Sequence, residues 1–286
     1  MNSRTATNEI ETTEGELISL VDTAAKIRGR IIQLSHQAKT PHLGSSLSFV
    51  ELLVYLYWNF LKISPEIAKD PSRDRFVLSK GHGITTLYAV LAERGFFSPK
   101  LFENYAQAGS PLPEHPSPRC VPGIEAATGS LGHGLSIATG IALASKINVI
   151  PYSVVTLLSD GECNEGSTWE AALLAPVHNL DNLIAIVDFN KWQATGRSSE
   201  VTALEPLEEK FESFGWNSIR IDGHDFRQIK SALATAKKSD KPFAIIADTV
   251  KGKGIKMMED DNNWHYRIPS KEEVDSAFEE LGIKSL

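Results

Sequence analysis

The sequence predicts an α/β protein: a doubly wound parallel sheet with helices on both faces. Three observations carry this. Short β-branched runs alternate with helical patterns along most of the chain. Spaced by helices, most of the runs read as apolar stretches, as in strands buried on both faces. The segments between them are long enough for the crossovers that parallel strands require.

Taken in order, residues 1–13 are polar without apolar periodicity and are expected to form a disordered tail, with residues 14–286 as a single domain. From Glu14, the positions Leu17, Val21, Ala24, Ile27, Ile31 and Leu34 recur at three and four, which predicts a long helix toward residue 38. A second helix is expected from Ser48 to Leu61, where FVELLVYLYWNFL is apolar around most of its girth and should be buried. Strands are expected at Arg75–Leu78, Ser153–Leu158, Leu183–Asp188, Trp216–Ile221 and Phe243–Thr249. Between and after them, helices are expected at Ile84–Arg94, Leu131–Lys146, Ser167–His178, Pro206–Phe214, Asp225–Lys238 and Lys271–Leu281. Five prolines in Gly109–Gly123 exclude a helix or a central strand and predict a long ordered loop. Loops of that length tend to be functional.

Composition narrows the function. Among 286 residues, 29 Lys+Arg against 36 Asp+Glu give a net charge of −7, with no basic footprint for nucleic acid. Cys120 and Cys163 cannot build a disulfide framework, and a reduced, cytoplasmic setting is expected. The start MNSRTATNEIETTEGE is neither a secretory signal nor an Arg-rich transit peptide. The longest uncharged stretch, Ala126–Ser145, is too rich in Gly, Ser, Thr and His for a membrane span.

The most informative segment is VVTLLSDGECNEGSTWEAALLAPVHNLDNLIAIVDFNKWQATG. One strand ends in Ser159-Asp160-Gly161 and the next in Asp188-Phe189-Asn190, at the strand edge where open α/β sheets bind ligands. A carboxylate and an amide oxygen suit Mg²⁺ or Ca²⁺, and Mg²⁺ is usually shared with phosphates. Asp160 therefore points to a metal–diphosphate site, with Gly161 letting backbone approach phosphate. An isolated Asp-Gly would be read as a turn; the whole segment is longer than that.

It resembles the thiamine-diphosphate motif, and the match SDGECNEG…WEAALLA…LDNLIAIVDFNK is most similar to transketolases, in particular their amino-terminal half when it is separately encoded. Ser159 stands where that family usually has Gly. The resemblance extends to Ser79-Lys80-Gly81-His82, to ATGSLGHG with Gly129 and Leu131, to His115 in the Pro-rich loop, and to His265 in VKGKGIKMMEDDNNWHYRIP. At Thr40-Pro41-His42-Leu43-Gly44, Pro41 and Leu43 replace the family's Gly and Pro. It implies thiamine diphosphate and Mg²⁺ as cofactors, with the metal on Asp160, Asn190 and the main-chain carbonyl of Trp192. The cofactor would lie against Gly129, Leu131, Gly161, His82 and His265. His42, His82, His115 and His265 would handle donor and protons, and Glu165 and Glu170 would link two cofactor sites; the bland reading of that acidic pair is a helix N-terminus.

His36, His178 and His224 are read as structural or solvated, and His133 is left open between the two readings. Lys251 and Lys253 are left open between a solvated turn and a phosphate-facing loop. In the family the glutamate that activates the cofactor belongs to a second α/β domain. The resemblance therefore implies a separately encoded C-terminal subunit as partner, and sugar substrates exchanging a two-carbon ketol unit. Three other readings stand beside it: one chain of a decarboxylating 2-oxo acid enzyme, a specialised ketol transferase of secondary metabolism, and a non-catalytic scaffold. The helices at 48–61 and 167–178 are expected to be too apolar for a monomer surface and to lie on interfaces, with self-association as well as partner binding giving a two-plus-two heterotetramer.

Overall fold

The structure, a computed structural model, describes residues 13–118 and 120–284; the expected tail over residues 1–12 lies outside the described residues. Thr13 starts α1 (Glu14–Ala38) with a capping box, its hydroxyl accepting the Glu16 N–H while the Glu16 carboxylate accepts the Thr13 N–H. The buried stripe of α1 runs Leu20, Ala24, Ile27, Ile31, Leu34, so Val21 faces outward and Leu20 takes its place.

The expected helix over 48–61 is broken at its start. α2 (Leu43–Leu47) and α3 (Val50–Tyr55) are separated by Ser48 and Phe49, and a π-turn over Leu56–Phe60 completes the segment. The Ser48 hydroxyl lies 2.6 Å from Asp188 Oδ2 and 3.0 Å from the Ser45 carbonyl, a side-chain competition that opposes helix continuation. This segment packs inside the chain, with Val50, Leu53, Val54 and Leu56 fully buried. It is therefore core, and the expectation that it lies on an interface is corrected.

Five strands follow, β1 (Arg75–Leu78), β2 (Val154–Ser159), β3 (Leu183–Phe189), β4 (Asn217–Asp222) and β5 (Phe243–Asp248), all parallel, in the order β1-β2-β3-β5-β4. The remaining helices are α4 (Ile84–Glu93), α5 (His133–Asn148), α6 (Gly166–Val177), α7 (Ser198–Val201), α8 (Leu207–Ser213), α9 (Phe226–Ala236) and α10 (Lys271–Glu280). Side-chain period two divides the strands between two cores. Val155, Leu157, Ile184, Ile186 and Ile245 join α1, α3, α4, α9 and α10 on one face. Val154, Leu158, Leu183, Val187 and Ile246 join α5, α6 and α8 on the other. The described residues of Gly109–Gly123 hold neither helix nor strand, as the prolines require. No helix among the described residues is long and apolar enough to cross a membrane.

Candidate active site

Four strands deliver chemistry to one carboxyl edge. Past β2, Asp160 is fully buried; its Oδ1 accepts the Gly161 N–H at 2.9 Å and its Oδ2 the Ser198 hydroxyl at 2.6 Å. Burial, with Asp188 nearby, pushes the Asp160 carboxyl up to about 6. Past β3, Asn190 donates from Nδ2 to Asp188 Oδ2 at 3.2 Å. A carboxylate only accepts, so the amide nitrogen is pinned there and Oδ1 is the atom left for the Trp192 N–H and the cleft. The loop beyond is braced at its rim, where Arg197 lies 3.7 Å over the Trp192 ring and pairs with Asp260 through both oxygens.

Under this edge lies an ion pair to which sequence patterns assign no role. Lys80, past β1, and Asp188 are both fully buried and paired. Lys80 also donates to the Ser45 carbonyl at 3.0 Å, and Asp188 accepts from the hydroxyls of Ser48 and Thr249. Burial pushes the Asp188 carboxyl up, but Lys80 and these donors outweigh it and hold it below the ordinary value. Glu162 is a second such residue: its carboxylate accepts from Ser79 and from the Gly132 N–H at 2.8 Å, stitching the β1 edge to the Gly-rich turn. Asp188 and Lys80 sit inside the quoted motifs, but nothing in their spacing marks partners 108 residues apart.

Above the oxygens, four histidines from four loops converge. The ring of His42 lies 5.3 Å from His82, 6.2 Å from His115 and 5.0 Å from His265 between centroids. Their backbones are tied as well: the His42 N–H bonds the His265 carbonyl at 2.8 Å, with His42 in the left-handed region at φ 69°. Burial first, then neighbouring cationic groups, lower His42 to about 4, His265 to about 3, and His82 well below its ordinary value. These three rings are neutral at pH 7, each with one donor and one acceptor nitrogen. Lys251, 1% exposed, donates to Asn262 Oδ1 at 2.6 Å and lies 3.2 Å from His265 Nδ1, which makes Nδ1 the acceptor and leaves Nε2–H for the cleft. Burial lowers the Lys251 ammonium to about 8. Of the two lysines left open, Lys251 therefore belongs to the site, whereas Lys253 pairs with Glu259 away from it.

The cleft between these groups has a volume of about 390 Å³. His42, His82, His115, His265, Gly129, Leu131, Gly161, Glu165, Asn190 and Trp192 all line it; Asp160 itself does not, but is buried between the lining residues Ser159 and Gly161. At Gly129, φ 145° and a would-be Cβ only 2.7 Å from His115 Cδ2 admit no side chain. Glu170 is exposed on α6 and does not reach the cleft, and His133 is exposed outside it. His36 bonds the Pro269 carbonyl at 2.8 Å and His178 is exposed, both in keeping with their expected roles. His224 is structural but not solvated: it is held between Glu51 and the Val250 N–H.

The donor set fits a hard cation shared with an anionic ligand. Asp160 is a buried carboxylate, Asn190 presents oxygen, and among the described residues no three His, Cys, Asp or Glu side chains form a self-sufficient cage. Gln193 Nε2, at the cleft wall, is buried without a hydrogen-bond partner among the described residues, a donor left for a ligand. A parallel sheet with metal-type oxygens and helix-opening glycines at its carboxyl edge defines the class: an α/β diphosphate-binding protein. The family "transketolase, thiamine diphosphate binding domain" matches residues 21–285, so the chain belongs to the transketolase family and its cofactor is thiamine diphosphate with a divalent metal. One subunit of the apulose-4-phosphate transketolase of Phocaeicola vulgatus is 38% identical over 257 residues, 90% of this chain and 91% of that protein. A 6-deoxy-6-sulfo-D-fructose transketolase subunit of a Clostridium species is 46% identical over 219 residues, 76% of this chain and 80% of that one. The crystal structure of transketolase from Campylobacter jejuni superposes with a TM-score of 0.86 at 31% identity, over 95% of this chain and 43% of that chain. The chain thus spans under half the length of that transketolase.

Proposed function

We propose that this chain is the diphosphate- and metal-binding subunit of a two-chain transketolase, transferring a two-carbon ketol unit from a ketose to an aldehyde. The observation that carries it is the convergence of His42, His82, His115 and His265, with ring centroids 5.0–6.2 Å from His42, in one cleft with Asn190 and with Ser159 and Gly161, the two neighbours of buried Asp160. Residues 14–286 then act as one binding domain. Asp160, Asn190 and the Trp192 carbonyl hold Mg²⁺; Gly129, Leu131 and Gly161 meet the cofactor. When bound, thiamine diphosphate supplies the carbanion that accepts and releases the ketol unit.

The protein's part is orientation and protons. His265 presents Nε2–H as a donor toward sugar oxygen, its Nδ1 occupied by Lys251. Neutral His42 and His82 accept or return a hydroxyl proton, the step in which positioned general bases contribute ~10²–10⁴-fold. The partner is a separately encoded C-terminal subunit, in line with relatives that are themselves named as single subunits of a transketolase. The outward residues of α6 (Leu173, Leu174 and Val177) support its docking and a two-plus-two assembly. Glu165, at the cleft wall, and Glu170, one helical turn and more along α6, lie on this same side and would meet the second copy. Two free cysteines fit a cytoplasmic setting.

Two experiments bear on this reading. Asp160→Ala abolishes Mg²⁺-dependent thiamine-diphosphate binding in calorimetry with the partner present; undiminished binding removes the metal assignment. The wild-type pair transfers ketol from a ketose phosphate; a pair that instead decarboxylates a 2-oxo acid and transfers nothing establishes the 2-oxo acid alternative.

A further inference from the structure

The turn that sets Lys251 against His265 is gripped from behind by a chain of hydrogen-bonded side chains. Arg28 on α1, 6% exposed, donates from Nη2 to Glu51 Oε1 on α3 at 2.6 Å and from Nε to the Lys253 carbonyl at 2.8 Å. The other Glu51 oxygen lies 3.1 Å from His224 Nδ1, and His224 Nε2 accepts the Val250 N–H at 2.9 Å. A backbone N–H can only donate, so Nε2 is the acceptor and Nδ1 carries the proton toward Glu51. Burial pushes the Glu51 carboxyl up, but Arg28 and His224 outweigh it and hold it at about 2.

The turn fits only this grip. Gly254, at φ 93°, would place a Cβ 2.6 Å from Arg28 Nε, and Gly252, at φ 78°, a Cβ 2.0 Å from the Met258 carbonyl oxygen. From the opposite side the Gly252 N–H bonds the Gly44 carbonyl at 2.9 Å, on the segment that also bears His42. Between these fixed points stands Lys251, 2.6 Å from Asn262 and 3.2 Å from His265. Buried ion pairs add little net stability over a well-packed apolar cluster. An apolar cluster, however, could not hold the Val250 N–H and the Lys253 carbonyl, the two ends of the turn from which Lys251 reaches the cleft-lining His265.

We propose that His224 is a positioning residue: the Arg28–Glu51–His224 chain fixes the turn over residues 250–254 and thereby sets the Lys251 ammonium against His265. The inference rests on the reading of the cleft as a ketol-transfer site. Its test uses the two-chain enzyme with thiamine diphosphate and Mg²⁺. His224→Phe keeps ring volume and removes both bonds, whereas His224→Gln retains an amide acceptor and donor. The expected result is a kcat loss of ~10-fold or more for His224→Phe, since small misplacement of a site group is costly, with donor KM moved less and His224→Gln recovering most of the rate. In a Lys251→Met background, His224→Phe should add no further loss. In the full chain, amide exchange should quicken in His224→Phe at residues 250–254 while α1 and α3 keep their protection.

Losses that multiply in the double variant, or a His224→Phe enzyme that melts lower yet turns over normally per folded site, overturn the proposal. So does exchange that rises along α1 and α3 instead of at the turn. If the wild-type pair is inactive on every ketose, the functional reading fails, and the exchange experiment alone decides whether the clamp exists.

Discussion

The two helical layers that cover the sheet are built from similar residues and end in opposite states. In the layer of α1, α3, α4, α9 and α10 most large side chains point inward: Ile31, Ile32, Leu53, Val90 and Leu91 are fully buried, with Ile18 and Val21 near the start of α1 the exposed exceptions. In the layer of α5, α6 and α8 the order is inverted on α6, where Ala171, Ala172 and Ala175 face the core while Leu173, Leu174 and Val177 are 53%, 45% and 75% exposed. Ile147 and Val149, at the end of α5, extend the apolar surface. A helix lying on a finished surface carries its large apolar residues inside. Apart from that end of α1, the first layer is closed by the chain itself, and the second is shaped for something else to cover. The site straddles them. His42, His82 and His265 ride on loops leading into α2, α4 and α10, and Asp160, Gly129 and Glu165 on those leading into α5 and α6.

That contrast can be broken most severely from the open side. Leu173→Glu with Val177→Glu should abolish assembly with the partner, and ketol transfer with it, while the melting temperature of the chain alone stays put; light scattering and calorimetry read the two outcomes. If the double variant still assembles, α6 is not the covered face. At the boundary, His82→Ala should lower turnover by ~10²–10⁴ with assembly and cofactor affinity nearly intact, measured by steady-state kinetics. A drop in affinity with turnover spared would make His82 a binding contact instead. The closed side should respond in stability only: Leu53→Ala should cost about 2–5 kcal/mol in denaturant unfolding and leave assembly of the folded fraction unchanged.

The smallest effect is a pH dependence. His42 and His265 sit at about 4 and about 3, below the ordinary 6.5. The unfolded chain binds more protons than the folded one between those values, so stability is full above about 6.5 and declines as pH falls toward 4. His42→Gln should flatten the melting-temperature curve across that window, and an unchanged slope would remove His42 from the account.

The parts legible in the sequence were those with local signals. Each of the five strands lies within a residue or so of its expected run. For the inner strands β2, β3 and β5 the reason is that a strand buried on both faces reads as apolar, whereas the edge strand β4, with Asn217, Ser218 and Arg220, is only half-buried. The cleft-lining histidines, Gly129 and Asn190 came from motif resemblance and meet in space, with Asp160 buried between two lining residues. The break between α2 and α3 was not legible, since it turns on Ser48 reaching Asp188, 140 residues away. Lys80, Lys251 and Glu162 were hidden for the same reason: their roles lie in partners from other loops. The inversion of α6 was hidden too, because composition shows that a helix is apolar but not which of its faces the rest of the chain covers.

The central claim is that this chain grips the diphosphate and metal but works only against a second subunit. The most direct measurement is a titration of this chain with a separately expressed C-terminal subunit, in thiamine diphosphate, Mg²⁺ and a ketose phosphate, following ketol transfer to an aldehyde. No transfer is expected from either chain alone, and with both the rate should rise to a plateau at one partner per chain. Ketol transfer by this chain alone, at the rate of the mixture, would contradict that claim.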